Sequence, residues 1–335
     1  MKYLFYLHIF LLSVLILASC NKDASPPPEE IYKPTPYEIN IPQGFPDLYI
    51  AEDNPLTIEG VQLGRMLYYD SILDIDNSRA CASCHFQEES FSLSHVNSLA
   101  HVNLGWNGVY LWNGKIEGTL EDIMLFEVEE FLQTDLSKLN SHPTYPGLFK
   151  KAFNVDIISS KEAAYALAQF ERTMISGNSK WDRYLRGEVS LTQAEAQGFE
   201  VFFTEKGDCF HCHGTILFTD NLFHNNGLDD IPEEGRALIT GNPKDIGKFK
   251  SPTLRNIMLT APYMHDGRYE TIEEVIDFYS EGVKGSSTVD PLMKKVGQGG
   301  VHLNQQDKNN LIAFLNMLTD TSFINNSELS NPFFK

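Results

Sequence analysis

The sequence predicts a mainly α-helical fold with long loops, arranged as two similar units. Three observations carry this. Apolar residues recur at helical spacing in several segments, and most of these segments open on a capping signal. No segment shows convincing strand alternation. The pattern Cys-x-x-Cys-His occurs twice, as Cys81-Ala82-Ser83-Cys84-His85 and as Cys209-Phe210-His211-Cys212-His213, each time after a helical segment.

In chain order, Met1-Lys2 is a short basic start and Leu4 to Leu17 is almost wholly apolar, ending in Leu17-Ala18-Ser19-Cys20. This is the pattern of a bacterial lipoprotein signal (residues 1–19), with the mature chain exported and anchored to a membrane surface by a lipid on Cys20. An ordinary secretory signal with a chance cysteine is the plainer alternative. Residues 20–47 carry seven prolines between Asn21 and Pro46 and read as a tether. Leu56 to Tyr69 is apolar at helical spacing, and Phe91 to Gly118 reads as a long ordered loop. Thr119 to Leu132 predicts a helix with an acidic cluster. Ser159 and Glu162 form a capping box before a helix with Ala163, Leu167, Phe170 and Met174 on one face. Arg172 to Arg186 reads as a polar connection. Thr192 and Glu195 cap a helix bearing Phe199, Phe202 and Phe203, which delivers the chain to the second motif. Asp220 to Pro252 is loop-like. Thr271 and Glu274 open a helix with Ile272, Val275, Ile276 and Tyr279 at i, i+3, i+4 and i+7. Asn304 and Asp307 open the last helix, with Leu311, Phe314, Leu315 and Leu318. The order helix, then motif, repeats after about 130 residues. The expected units are 48–188 and 189–320, followed by a tail over 321–335.

Length and composition are those of a globular protein of 335 residues with a net charge of −19. That charge argues against nucleic acid as a partner and is compatible with a basic redox partner, though a solvated acidic surface explains it as well. The five cysteines divide into two motif pairs and Cys20, leaving none for a disulfide.

Cys-x-x-Cys-His is the attachment signature of c-type haem. Two thiols on one turn each bond a vinyl group of one porphyrin, and the adjacent His85 or His213 gives its imidazole to the iron. A redox dithiol or half of a zinc site is the competing reading for a single copy. Two copies, each with its histidine, favour two covalent haems.

The chain resembles the bacterial di-haem cytochrome c peroxidase / MauG family from about Asn54 to Leu318. The resemblance rests on Leu63-Gly64-Arg65-Met66-Leu67-Tyr68-Tyr69-Asp70, on Ala168-Gln169-Phe170-Glu171-Arg172-Thr173 and on Asn178-Ser179-Lys180-Trp181-Asp182-Arg183-Tyr184-Leu185. It also rests on Phe249-Lys250-Ser251-Pro252-Thr253-Leu254-Arg255-Asn256 and on Thr260-Ala261-Pro262-Tyr263-Met264-His265-Asp266-Gly267-Arg268. It implies two cytochrome c-like helical domains. The N-terminal one is peroxidatic, and the C-terminal one receives electrons. By motif position it makes Trp112, in Leu111-Trp112-Asn113-Gly114-Lys115, the tryptophan between the haems; a plain core aromatic is the alternative. It also implies a calcium ion held by the Asn97 side chain and the carbonyls of Thr260 and Pro262; an Asn97 that only holds its loop is the alternative.

This sequence departs from the family pattern in three places. The loop that carries a displaceable histidine in members needing reductive activation is too short here. The first haem is therefore expected to be open as isolated, with His95 and His101 as nearby candidate ligands and satisfied loop histidines as the alternative. Ile123 stands where the family has a glutamine, and an ungapped count puts Gln133 at the position of the catalytic glutamate. Glu130, or Glu127, is then the expected group that moves a proton between the peroxide oxygens; a solvated acidic helix face is the alternative. Third, Tyr279 occupies the position of the second haem's distal ligand, where peroxidases have methionine and MauG-type proteins tyrosine. A tyrosine bound to a propionate is the alternative, and Met264 is the competing ligand.

The expected function is reduction of hydrogen peroxide to water, with electrons from a small periplasmic protein such as a cytochrome c or a cupredoxin. A MauG-like oxidase acting on a protein or small molecule, and a di-haem electron-transfer protein, are the alternatives.

Overall fold

The computed structural model describes residues 32–93 and 97–334. The expected signal segment, Cys20 and His95 lie outside the described residues. The helices are α1 (Ile58–Tyr69), α2 (Leu120–Phe126), α3 (Leu136–Ser141), α4 (Tyr145–Phe153), α5 (Ser160–Arg172) and α6 (Lys180–Leu185), followed by α7 (Gln193–Phe202), α8 (Phe210–His213), α9 (Ala237–Thr240), α10 (Ile272–Asp277), α11 (Gln305–Asn316) and α12 (Thr321–Ile324). Two short antiparallel ribbons complete the described structure: β1 (Val109–Tyr110) with β2 (Ile116–Glu117), and β3 (Phe223–His224) with β4 (Phe249–Lys250). The fold is mainly helical, as the sequence predicts. No helix among the described residues is long and apolar enough to cross a membrane.

The expected caps are formed. Ser159, Thr192 and Thr271 exchange hydrogen bonds with Glu162, Glu195 and Glu274, and the Asn304 side chain accepts from the Asp307 N–H at 2.9 Å. Each satisfies backbone donors that the first turn of a helix leaves without intrahelical partners.

Two helix crossings organise the interior. A Cβ on Gly64 of α1 would lie 1.9 Å from the Ala166 carbonyl oxygen and 2.8 Å from Phe170 Cβ of α5. A Cβ on Gly198 of α7 would lie 1.9 Å from the Asn310 carbonyl oxygen and 2.8 Å from Phe314 Cβ of α11. Only glycine permits this approach of helix to backbone. The equal distances align the two halves: Gly64 with Gly198, Tyr68 with Phe202, Phe170 with Phe314. The alignment continues outside the crossings. Phe91 and Phe218, with φ of 56° and 54°, follow the two motifs. Ser98 and Ser251 donate from Oγ to the carbonyls of Cys84 and Cys212, at 2.7 and 3.3 Å. Five residues on, Asn103 and Asn256, at φ of 58° and 61°, start 3-10 turns. Finally, α2 and α10 both open on a threonine capping box, and each runs into a π-helical turn, at Glu127–Phe131 and Phe278–Gly282.

The buried apolar residues form one cluster running mainly from Leu56 to Met174, a second from Trp181 to Leu318 and a small third of Leu228, Phe278 and Val283. The structure differs from expectation at both ends and in the middle. The residues expected as tether are docked from Thr35 onward. Thr35 bonds Glu59, the Tyr37 N–H donates to the Leu56 carbonyl, and Phe45 packs edge-on to Trp106 with the Arg255 guanidinium over its ring. Prolines forbid a helix there but not docking by Tyr37, Pro42 and Phe45. The expected tail returns to the first cluster through Phe323 and Leu329, and Arg65 donates to the Ser327 and Ser330 carbonyls. The expected polar connection contains α6, capped by Ser179 and Asp182; its Trp181 joins the second cluster, although the expected boundary assigns it to the first unit.

The crossings give a stability test. Gly198→Ala forces a methyl against backbone that cannot step aside, and overpacking of this kind costs about 1–3 kcal/mol or more. Gly147 in α4 has open space around it, and Gly147→Ala should gain about 0.5–1 kcal/mol. Urea unfolding of the two variants should therefore shift in opposite directions; an unchanged midpoint for Gly198→Ala contradicts the crossing as described.

Candidate functional site: a shared haem cavity

Both Cys-x-x-Cys-His motifs line one cavity of about 700 Å³. The first motif sits on the 3-10 turn Cys81–Ser83, the second on α8. Cys81, Cys84, Cys209 and Cys212 are free thiols. Burial pushes Cys81 well up and Cys209 to about 12, the reverse of what a redox dithiol needs. Among the described residues, no cluster of potential metal ligands contains both cysteines of a motif, as half of a Cys-x-x-Cys zinc site would require.

The motif histidines are held alike. His85 Nδ1 lies 2.8 Å from the Phe91 carbonyl oxygen and His213 Nδ1 2.9 Å from that of Phe218. A carbonyl can only accept, so Nδ1 carries the proton and Nε2 is left for an iron. The left-handed turn at each phenylalanine aims that carbonyl. Burial lowers His85 to about 4 and also lowers His213, keeping both rings neutral as a metal ligand requires. Free thiols, neutral oriented imidazoles and a largely apolar cavity fit two covalent haems.

Trp112 lines this cavity, donates from Nε1 to the Asn97 carbonyl at 3.4 Å, and accepts at its own carbonyl from the Lys250 N–H at 2.8 Å. It is thereby pinned between the loop after the first motif and β4 in the second half.

The acidic candidates separate. Glu130 is exposed and ion-paired to Lys115 at 3.5 Å, and Gln133 is also exposed; neither lines the cavity. The expectation for Glu130 is therefore corrected. The inward stripe of this helix runs Leu120, Ile123, Met124, Glu127, and Glu130 falls off it. Glu127 lines the cavity and stands eight residues past the capping Thr119, as Tyr279 stands eight past Thr271. Burial raises Glu127 to about 7, opposed by nearby Lys115. Overlaying the two capped helices in the sequence would have singled it out.

Tyr279 also lines the cavity, and burial raises its phenol to about 12. Asn226 donates from Nδ2 to the Tyr279 hydroxyl at 3.0 Å and lies 3.6 Å from Met264 Sδ, so one amide holds both candidate ligands. Nothing in the sequence marks Asn226. His101 stacks on His85, with centroids 3.5 Å apart and planes 25° from parallel. Two imidazoles sharing an iron meet it end-on from opposite sides, whereas these lie face to face. His101 is thus a neighbour of the proximal ligand and not its opposite, which corrects its candidacy as a distal ligand. Tyr68 and Glu171, both buried, adjoin His101 and were missed as site residues.

The three calcium candidates gather around one turn. Asn97 approaches Gly267 beside Pro262, and Thr260 precedes that turn. Here Asn97 presents its amide nitrogen, donating to the carbonyls of Met264 and His265 at 3.1 and 2.8 Å.

A family profile described as di-haem cytochrome c peroxidase matches residues 58–190. The chain is 30% identical over 287 residues to the methylamine utilization protein MauG of Methylorubrum extorquens, covering 79% of each chain. It is 30% identical to the cytochrome c551 peroxidase of Nitrosomonas europaea, covering 67% of this chain and 73% of that one. Among solved structures it is similar to a MauG-like protein associated with microbial copper homeostasis, with a TM-score of 0.82, 34% identity and coverage of 89% of this chain and 100% of that one. A common helical scaffold, two haem-attachment motifs on one cavity and relatives of both kinds place this chain in the di-haem cytochrome c peroxidase / MauG family of peroxidase-like oxidoreductases, whose members carry two c-type haems.

Proposed function

We propose that this chain is an exported, peroxide-using di-haem enzyme of the MauG-like kind, which draws electrons from a protein or small-molecule substrate through the second half. The carrying observation is Tyr279: its phenol, held by Asn226, faces the cavity at the second motif. A phenolate is an anionic donor that favours ferric and higher states, whereas a thioether raises the potential. The similarity to a MauG-like structure supports the same reading. Reduction of peroxide with electrons from a small cytochrome c or cupredoxin is the second reading, supported by the likeness to a named peroxidase. Steady consumption of such a reduced donor by the holoprotein and peroxide would favour it.

When bound, the two haems would supply the two electrons that cleavage of a peroxide O–O bond takes up, one from each. The protein's own part begins with Glu127, which takes the proton from the inner peroxide oxygen and returns it to the outer one. Trp112 spans the cavity between the halves and carries the electron. Asn226 orients the Tyr279 oxygen. Asn97, Thr260 and Pro262 are proposed calcium ligands, with the Asn97 amide turned so that its oxygen faces the ion. Anchoring through a lipid on Cys20 belongs to the same reading.

Glu127→Gln should lower the rate of the peroxide reaction roughly 100-fold or more. Because burial raises Glu127 to about 7, its proton-accepting carboxylate form grows as pH rises, so the wild-type rate should climb with a midpoint near 7. The variant's profile should lose that limb, and Glu130→Gln should keep both rate and profile. Stopped-flow absorbance of the haem bands measures all three; a Glu127→Gln protein reacting at the wild-type rate contradicts the assignment.

Tyr279→Phe should change the resting spectrum of the second haem alone, and Tyr279→Met should raise its potential. Added peroxide should perturb both haem spectra in the wild type and leave the second unaltered in Tyr279→Phe. An unchanged second-haem spectrum and potential in Tyr279→Phe would point to Met264 instead.

A further inference from the structure

The first half packs three polar side chains, two of them buried, where the second half packs hydrocarbon. Tyr68 matches Phe202, each four residues past a crossing glycine. His101 matches Leu254, each three residues past the serine bonded to the motif carbonyl. Glu171 matches Leu315, each next to the crossing phenylalanine. The scaffold is therefore satisfied by apolar residues at all three positions. Tyr68 is 0% and Glu171 1% exposed, and neither Glu171 oxygen has a hydrogen-bond partner. Leaving a buried polar group unsatisfied costs about 1–3 kcal/mol. Departures from local packing rules that the same fold avoids elsewhere mark function.

The three groups form a chain that begins at the proximal ligand. The His101 ring stacks on His85 at 3.5 Å. Tyr68 Oη lies 3.2 Å from His101 Nδ1, and Glu171 Oε1 lies 3.5 Å from the same nitrogen. Beyond Tyr68, the ring of Tyr69 follows at 5.3 Å, and the half-buried Tyr69 donates its hydroxyl proton to the Leu329 carbonyl at 2.7 Å. A phenol bonded to a neutral imidazole gives up an electron more readily than an isolated one, because its proton can leave with the electron along the existing hydrogen bond.

We infer that Tyr68 is a redox-active tyrosine, paired with His101, through which an oxidising equivalent leaves the first haem for the protein surface by way of Tyr69. The step rests on the peroxide reading above, which supplies the oxidant. One electron passes from the Tyr68 phenol to the first haem, which is reduced by one equivalent. The phenolic proton crosses to His101 Nδ1, and a neutral tyrosyl radical remains at Tyr68. An electron from Tyr69 then restores Tyr68 as the proton returns from His101; the half-buried Tyr69 loses its own hydroxyl proton to water, and a one-electron reductant in solution, with a proton from water, restores it. The route uses none of the residues that hold Trp112, so it drains the enzyme when no substrate is docked at the second half.

The test is electron paramagnetic resonance of holoprotein frozen after one equivalent of hydrogen peroxide. A radical signal should appear, narrow on incorporation of ring-deuterated tyrosine, fall more than 10-fold in Tyr68→Phe and persist in Tyr69→Phe. The resting haem spectrum of Tyr68→Phe should match wild type, since only a hydroxyl is removed, and its peroxide-oxidised haem bands should decay several-fold more slowly. An unchanged signal in Tyr68→Phe, or one indifferent to tyrosine deuteration, overturns the inference. So does the absence of a radical while the haem bands show that peroxide has reacted. Hexachloroiridate in place of peroxide asks the same of Tyr68 without peroxide chemistry. A Tyr68 radical with that oxidant but no reaction with peroxide would overturn the peroxide reading alone.

Discussion

A helix backbone laid against a glycine, once in each half, sets most of what surrounds it. With Gly64 under Ala166 and Gly198 under Asn310, neither helix of a pair can slide or rotate without a collision. That fixes which residue stands one turn further on, Tyr68 beside His101 in one half and Phe202 at the cavity in the other. It fixes the phenylalanine beside each crossing, and through the edge-on and tilted rings of Tyr68, Phe91 and Phe170, and of Phe202, Phe218 and Phe314, it fixes the backbone that follows each motif. The carbonyls of Phe91 and Phe218 then have one position, and so do the imidazoles bonded to them. A crossing of two helices thus determines where the ligand points.

On a scaffold repeated this closely, differences between equivalent positions identify function better than either half alone. The residue eight past the capping threonine is a carboxylic acid in the first half and a phenol in the second. The first suits moving a proton, the second suits binding a ferric iron. Both stand just where the helix loosens into a π turn, a feature that often marks functional sites because it re-aims one side chain without moving the rest. The same comparison isolates Tyr68, His101 and Glu171, whose counterparts are hydrocarbon.

Much of this was legible in the sequence. The two motifs announce themselves by spacing, and the capping boxes at Ser159, Thr192 and Thr271 located their helices because the chemistry is local. Tyr279 was legible because its stripe has no competing polar residue. Glu127 was not separated from Glu130 because three acids lie within four residues and an ungapped count cannot place a π turn. The docking of Tyr37, Phe45 and Leu329 was hidden for a different reason: composition says that a proline-rich or polar end cannot make its own core, but is silent on whether it covers someone else's. Asn226 and Glu171 were illegible because their meaning comes from partners more than fifty residues away.

What makes one machine of the two halves is polar. The left-handed asparagines at equivalent positions, Asn103 and Asn256, meet at Ser176. Asn103 accepts from the Ser176 N–H at 2.9 Å, and Asn256 donates to its hydroxyl at 3.3 Å. Asp320 closes the junction, accepting from the N–H groups of Gly177 and Asn178 at 3.0 and 2.8 Å while its own N–H donates to Asn256 at 2.7 Å. Asn103, Ser176, Asn256 and Asp320 are all buried, so each bond is sheltered from water and each group would be costly to leave unpaired. An apolar interface of the same area would hold the halves together but let them slip. A directional one holds them in register, and the electron transfer proposed for Trp112, pinned at both ends, would need that register because such rates fall steeply with distance.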